Sequence, residues 1–118
     1  MPYSDAFRDH LANPRNAGTL EDADADVELT NPVCGDRLRL TISVNAGRVR
    51  AARFLAYGCP PTLACGSALT ELILGKTLEE TARLSREELA NALCGLPARK
   101  GHAAALAVEV LRAALSKL

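Results

Sequence analysis

Tryptophan is absent from the 118-residue chain, and aromatic residues make up only 3% of it. A protein that holds single-stranded nucleic acid by stacking bases on side-chain rings is therefore not expected. Charge of either sign is not in excess either: 14 Lys and Arg face 14 Asp and Glu. There is no basic field to recruit nucleic acid and no acidic tail. No apolar run approaches the roughly 20 residues of a membrane-spanning helix. The segment Met1–His10 lacks the apolar core and cleavage pattern of a signal peptide. Asp5 and Asp9 also argue against a transit peptide. The chain is expected to be cytoplasmic, with no nucleic-acid partner and no membrane attachment. In a reducing compartment its four cysteines read as thiols or ligands rather than structural disulfides.

The length fits a single domain over residues 1–118, enough for one core. With so few aromatics that core must be built from Ala, Leu and Val, and the abundance of Ala favours helix. Ser4–Ala12 reads as a short amphipathic helix with Ser4 as its N-cap, stopped by Asn13-Pro14 and Gly18. Val27–Thr30 reads as a short strand. Leu38, Leu40, Ile42 and Val44 alternate with Arg37, Arg39, Thr41 and Ser43, the period of a half-buried strand. Asn45-Ala46-Gly47 turns the chain, and Val49–Tyr57 returns. Leu63–Leu74 reads as a helix closed by Gly75. Thr77-Leu78-Glu79-Glu80 and Ser85-Arg86-Glu87-Glu88 are capping boxes for two short helices, the second running to about Leu93. A final helix runs from about Lys100 to Leu115, with Ala103, Leu106, Ala107, Val110 and Ala114 on one stripe. There is no internal repeat and no low-complexity linker. Helix, strands, then helices predict an α+β fold, a small antiparallel sheet with helices on one face.

The hairpin brings its two open ends together, and each end carries a cysteine. Cys34 lies in Asn31-Pro32-Val33-Cys34-Gly35-Asp36, and Cys59 follows Tyr57-Gly58. Thiolates suit zinc, copper(I) and iron–sulfur clusters, and such sites take about four donors. Asp36 stands two residues from Cys34, so in an extended loop both side chains face the same way. His102, after Leu96-Pro97-Ala98-Arg99-Lys100, is a further candidate. The competing reading is a small buried cysteine at each place. For Cys65, on a predicted helix, and Cys94, at a helix end, that reading is preferred. His10 is read as a surface residue. Asp22, Asp24 and Asp26 lack the Gly and Glu of a calcium loop and read as a solvated acidic turn. No phosphate loop follows Gly58 or Gly66.

At these residues the chain resembles the IscU/NifU-type iron–sulfur cluster assembly scaffolds, over nearly its whole length. Asn13-Pro14-Arg15-Asn16, Gly18 and Leu20-Glu21-Asp22-Ala23-Asp24 resemble the family's N-terminal signature. The segment Asn31–Asp36 resembles its first ligand loop. Ala52-Arg53-Phe54, Tyr57-Gly58-Cys59, Ala64 and Ser67 resemble the second, and Leu96–Lys100 with His102 the third. The resemblance implies a three-stranded antiparallel sheet. It implies a transient [2Fe–2S] cluster, built with sulfur from a cysteine desulfurase and passed to acceptor apo-proteins. Cys34 and Cys59 would be thiolate ligands or sulfur acceptors, Asp36 would keep the cluster labile, and His102 would be a ligand or near neighbour. Zinc would bind in the same place. Leu96–Lys100 resembles the stretch gripped by a dedicated Hsp70-type chaperone, with Ala98-Arg99 where Pro-Val is usual. The Pro-Ala-Arg version resembles the SufU branch, whose long insertion between the first two cysteines this chain lacks.

One departure bears on the ligand set. The family's third cysteine follows the histidine, and here that position is Ala103, while Cys65 stands where Ser is usual. Either Cys65 substitutes spatially, or Cys34, Asp36, Cys59 and His102 suffice, or full scaffold function is lost. Two other functions compete with a non-enzymatic scaffold. One is a zinc-stabilised adaptor domain holding the metal permanently. The other is a persulfide relay through Cys59, which stands just before a predicted helix N-terminus, where the dipole favours a thiolate. No Ser/His/Asp order or paired-carboxylate arrangement suggests an enzyme, and a Cys34–His102 nucleophile pair is the weaker alternative.

Overall fold

The computed structural model describes residues 4–32, 35–93 and 101–118. Its elements are α1 (Asp5–Ala12), β1 (Ala25–Thr30), β2 (Arg37–Asn45), β3 (Arg48–Tyr57), α2 (Pro60–Ile73), α3 (Leu78–Ala82), α4 (Arg86–Ala92) and α5 (Gly101–Leu115). The strands form one antiparallel meander in the order β1-β2-β3. Leu40 pairs with Val27 on one side and Phe54 on the other. That register puts Leu38, Leu40, Ile42 and Phe54 on one face, all fully or almost fully buried. Each such side chain contributes about 1.5–3 kcal/mol of burial energy.

The turn sets the pairing nearest to it, and a one-residue shift between Ser43 and Val44 carries the ladder into this register. Ala46 and Gly47 both take positive φ, 54° and 75°, the two-residue hairpin loop whose twist matches the strands. The opposite face is polar, with a bidentate Arg39–Asp26 pair across β1 and β2. The free edge of β3 is covered by the segment after α1: Gly18 N–H donates to Phe54 O and Phe54 N–H to Asn16 O. An edge strand is thereby closed to other chains.

Helices α2 and α5 cover the apolar face, α2 across β3 and α5 across β1 and β2, and they touch each other. Gly66 makes the close approach possible. A Cβ there would lie 2.5 Å from Phe54 Cδ2 and 3.1 Å from Leu38 Cδ1. Helix α2 begins at Pro60, earlier than Leu63, because two prolines at its first positions need no N–H partners. Strand β1 likewise begins two residues earlier than Val27. Both capping boxes form, at Thr77 with Glu80 and at Ser85 with Glu88. Ser4 caps α1 by accepting from Phe7 N–H and also donates to Leu93 O, joining α1 to the end of α4. Among the described residues no helix is long and apolar enough to cross a membrane.

Candidate metal and cluster site

The hairpin register decides where the site forms. Arg37 pairs with Tyr57, so the next residues outward, Asp36 and Gly58, face each other at the open end. Gly58 has φ 144° and no side chain. A Cβ there would lie 2.1 Å from Asp36 Oδ1, so only glycine leaves room for the carboxylate. The chain then enters α2 with Cys59 as its N-cap, in extended conformation and without a side-chain capping bond.

Asp36 is 6% exposed and is held from several sides. Cys59 N–H donates to its Oδ1 at 3.3 Å. The Thr62 hydroxyl donates to Oδ2 at 2.8 Å, and the Cys59 thiol reaches the same oxygen at 2.9 Å. His102, on the first turn of α5, places Nε2 3.9 Å from Oδ2 with its side chain 32% exposed. One ligand atom from each of Asp36, Cys59 and His102 lies within 4.8 Å of the other two. The loop before β2 is tied down by Gly35 N–H to Asn31 O and Asn31 N–H to Asp36 O. A cleft of about 180 Å³ lined by Thr30, Asn31, Pro32, His102, Ala105, Leu106 and Glu109 opens beside the imidazole.

Of the residues expected at the site, Asp36, Cys59 and His102 are therefore together. Cys34, Cys94 and the segment Leu96–Lys100 lie outside the described residues. A carboxylate oxygen, a sulfur and an imidazole nitrogen fit three corners of a tetrahedral centre. Their mixed hardness suits zinc or ferrous iron better than magnesium or calcium. Cys65 does not join them. It is fully buried, and burial, with a smaller contribution from Cys59, pushes its thiol up to about 12. It packs as a small apolar side chain. Ala103, beside His102, is also fully buried.

His10 corrects an expectation. It is 6% exposed, not a surface residue, because α1 docks on α2 with His10 on the same face as Phe7. Its Nδ1 lies 2.7 Å from Ser67 Oγ, which also accepts from Arg15 N–H at 2.8 Å. Glu71 lies 3.8 Å from Nε2. Burial, then the Arg15 cation, holds the His10 pKa below its ordinary value despite Glu71 and Asp9. Thr62 was not foreseen from the sequence. Its signal was the Cys59-x-x-Thr62 spacing, which puts Thr62 on the first turn of α2 beside the N-cap residue, with Oγ1 3.4 Å from Cys59 Sγ.

Residues 2–118 match the family model described as NifU-like N terminal domain. The chain is 43% identical over 113 residues to the iron-sulfur cluster assembly scaffold protein IscU 1 of Archaeoglobus fulgidus, covering 96% of this chain and 74% of that one. It is 41% identical over 119 residues to the scaffold protein IscU of Azotobacter vinelandii, covering 98% and 92%. In fold it superposes on the crystal structure of a protein from Fervidobacterium islandicum AW-1, described as an iron-sulfur cluster assembly scaffold for the SUF system. There the TM-score is 0.81 and the identity 22%, over 98% of this chain and 97% of that one. With nearly every residue matched, the chain belongs to the NifU-like N-terminal domain family.

Proposed function

We propose that this protein is an iron–sulfur cluster assembly scaffold, with a transient [2Fe–2S] cluster as its cargo, held by Cys34, Asp36, Cys59 and His102. The observation that carries this reading is the convergence of Asp36, Cys59 and His102 within 4.8 Å at the open end of the hairpin. The whole chain, residues 1–118, acts as one domain. Sulfur comes from a cysteine desulfurase, and the finished cluster leaves for acceptor apo-proteins in the cytoplasm. Leu96–Lys100 offers a contact for an Hsp70-type chaperone. The protein is not an enzyme: its side chains bind, orient and release.

Each residue has a separate task. Cys59 and Cys34 supply soft thiolates, which iron in a cluster prefers. Asp36 supplies a hard oxygen that exchanges more readily, so the cargo is held long enough to assemble and then released. His102 adds a neutral donor and is partly exposed, where an acceptor can reach. Zn2+ takes the same place, because the same donors suit a tetrahedral ion.

The test is anaerobic reconstitution with ferrous iron, cysteine, a desulfurase and a thiol reductant, followed by absorption spectra and iron and sulfide counts. A [2Fe–2S] spectrum in wild type, lost in Cys59→Ala, supports the scaffold. No cluster, with zinc retained and strong thermal destabilisation by a chelator, replaces it with a zinc-stabilised adaptor domain. A persulfide on Cys59 with no chromophore replaces it with sulfur relay.

A further inference from the structure

We infer that Thr62 is a positioning residue for metal capture. Its hydroxyl pins Asp36 so that the carboxylate meets the ion through one fixed oxygen. The inference rests on the reading of Asp36, Cys59 and His102 as the metal-binding group.

Thr62 is fully buried, and a buried hydroxyl must find a partner. It sits in the first turn of α2, where a hydroxyl commonly turns to its own helix. Here it crosses instead to another element and donates to Asp36 Oδ2 at 2.8 Å. Its other sulfur or oxygen neighbour, Cys59 Sγ, is at 3.4 Å, so the one hydroxyl proton goes to the carboxylate.

The carboxylate is thus held at both ends. Oδ1 takes Cys59 N–H, and Oδ2 takes Thr62. The same Oδ2 faces the sulfur at 2.9 Å and the imidazole at 3.9 Å. An ionised carboxylate oxygen has a second lone pair after accepting one hydrogen bond. In the metal-free protein the Cys59 thiol donates to that oxygen as well; metal capture by the thiolate releases this proton and turns the same side of Oδ2 to the ion, while the Thr62 bond stays. Rotation toward a bidentate grip would break the bonds at both oxygens. A one-oxygen grip fits small tetrahedral ions such as Zn2+, Fe2+ and Co2+ and works against Ca2+, which takes six to eight oxygens. Partners that orient a ligand in this way typically change metal affinity by about 10–100-fold when removed.

The test uses Co2+ as the probe, because its d–d bands report geometry and its sulfur charge-transfer band reports thiolate ligation. Affinities come from competition with a chelator, and the fold of each metal-free variant is checked by circular dichroism and melting. Thr62→Val keeps the shape and loses the donor. It is expected to weaken Co2+ by about 10–100-fold and to shift the d–d bands, with the charge-transfer band retained at saturation. Thr62→Ser is expected to restore affinity to within a few-fold. In an Asp36→Ala background, Thr62→Val should change nothing further, since the hydroxyl acts only through that carboxylate. Wild-type affinity in Thr62→Val, no rescue by Thr62→Ser, or an equal loss in the Asp36→Ala background overturns the positioning role while leaving the site intact. Failure of wild type to bind Co2+ removes the site itself and the role with it.

Discussion

Helix α2 carries two buried polar clusters, and each includes a histidine from another helix. In the first turn, Cys59 and Thr62 meet Asp36 and His102. Two turns on, Ser67, Thr70 and Glu71 meet His10, Arg15 and Asn16. The second cluster pairs most of its donors with acceptors, Arg15 Nη1 being a buried exception among the described residues. Ser67 Oγ bonds an imidazole nitrogen and a backbone N–H, and Arg15 pairs with both Asp9 and Glu71. Such a cluster fastens α1 and the following loop to α2. The first cluster gathers a carboxylate, a sulfur and an imidazole, all of which are metal donors. Its geometry is kept by Gly58, Thr62 and a backbone N–H. On the proposed reading a cation completes it. Buried polarity alone therefore does not mark a functional site. An excess of donors suited to one ion does.

The first cluster is most sensitive at Gly58. In Gly58→Ala the new methyl would stand 2.1 Å from Asp36 Oδ1 at a φ of 144°. We expect metal affinity to fall by at least about 100-fold, with about 1–3 kcal/mol of stability lost to backbone strain. Gly75→Ala is the control. Its φ is also positive, but nothing lies within 4 Å of the added atom, so it should cost stability alone. Chelator competition and urea midpoints separate the two effects, and an equal loss of metal in both variants would sink the argument.

A reciprocal pair sharpens it. Ser67→Ala leaves His10 and the Arg15 N–H without their shared partner and should cost about 1–3 kcal/mol of stability, with metal affinity unchanged. Asp36→Asn keeps the shape and an acceptor oxygen but removes the charge. It should weaken Zn2+ strongly while leaving the metal-free protein nearly as stable as wild type. The same assays read both, and parallel changes would mean that the two clusters do not differ in kind.

What the sequence made legible was local. The strand alternation, the Ala46-Gly47 turn, the Ser4 cap and both capping boxes depend on neighbours within a few residues, and each formed where expected. The meeting of Asp36 with Cys59 also followed from hairpin geometry, because register brings the two open ends together. The burial of His10 was not legible. It depends on α1 lying against Ser67, 57 residues away, and its own helix is mostly polar. Nor was Thr62 legible, because its hydroxyl acts on Asp36 in a distant loop rather than on a neighbour in its own helix. The buried state of Cys65 was readable from its helical place beside Gly66, the glycine that brings α2 down onto Phe54.

His10 provides a smaller, pH-dependent test. Its folded pKa lies below the ordinary value of 6.5, chiefly through burial, so the unfolded chain binds a proton more readily than the folded one. Its contribution is whole above about pH 6.5 and is lost as pH falls below that toward the depressed folded value. Urea midpoints at pH 7.5 and pH 5.5 should drop more for wild type than for His10→Gln. Taking the difference between the two proteins removes whatever titrations they share. An equal drop in both would mean that His10 is protonated in the fold without cost.

The smallest expected effect decides the ligand set. Cys65 is fully buried, and with its thiol pushed up to about 12, at pH 8 only about one molecule in 10⁴ carries the thiolate that would react or bind metal. Native-state alkylation read by peptide mass should leave Cys65 unmodified while labelling Cys59. Cys65→Ala replaces one small apolar side chain by another. It should cost about 1 kcal/mol or less in stability, with the cobalt charge-transfer band and its affinity unchanged. A weaker band with lower affinity would mean that α2 shifts on binding to bring Cys65 to the ion, in place of the thiol missing at Ala103. An unchanged band leaves Ala103 without a thiol substitute at Cys65, so that a weaker oxygen ligand, oriented by Thr62, has to serve where a further sulfur is usual.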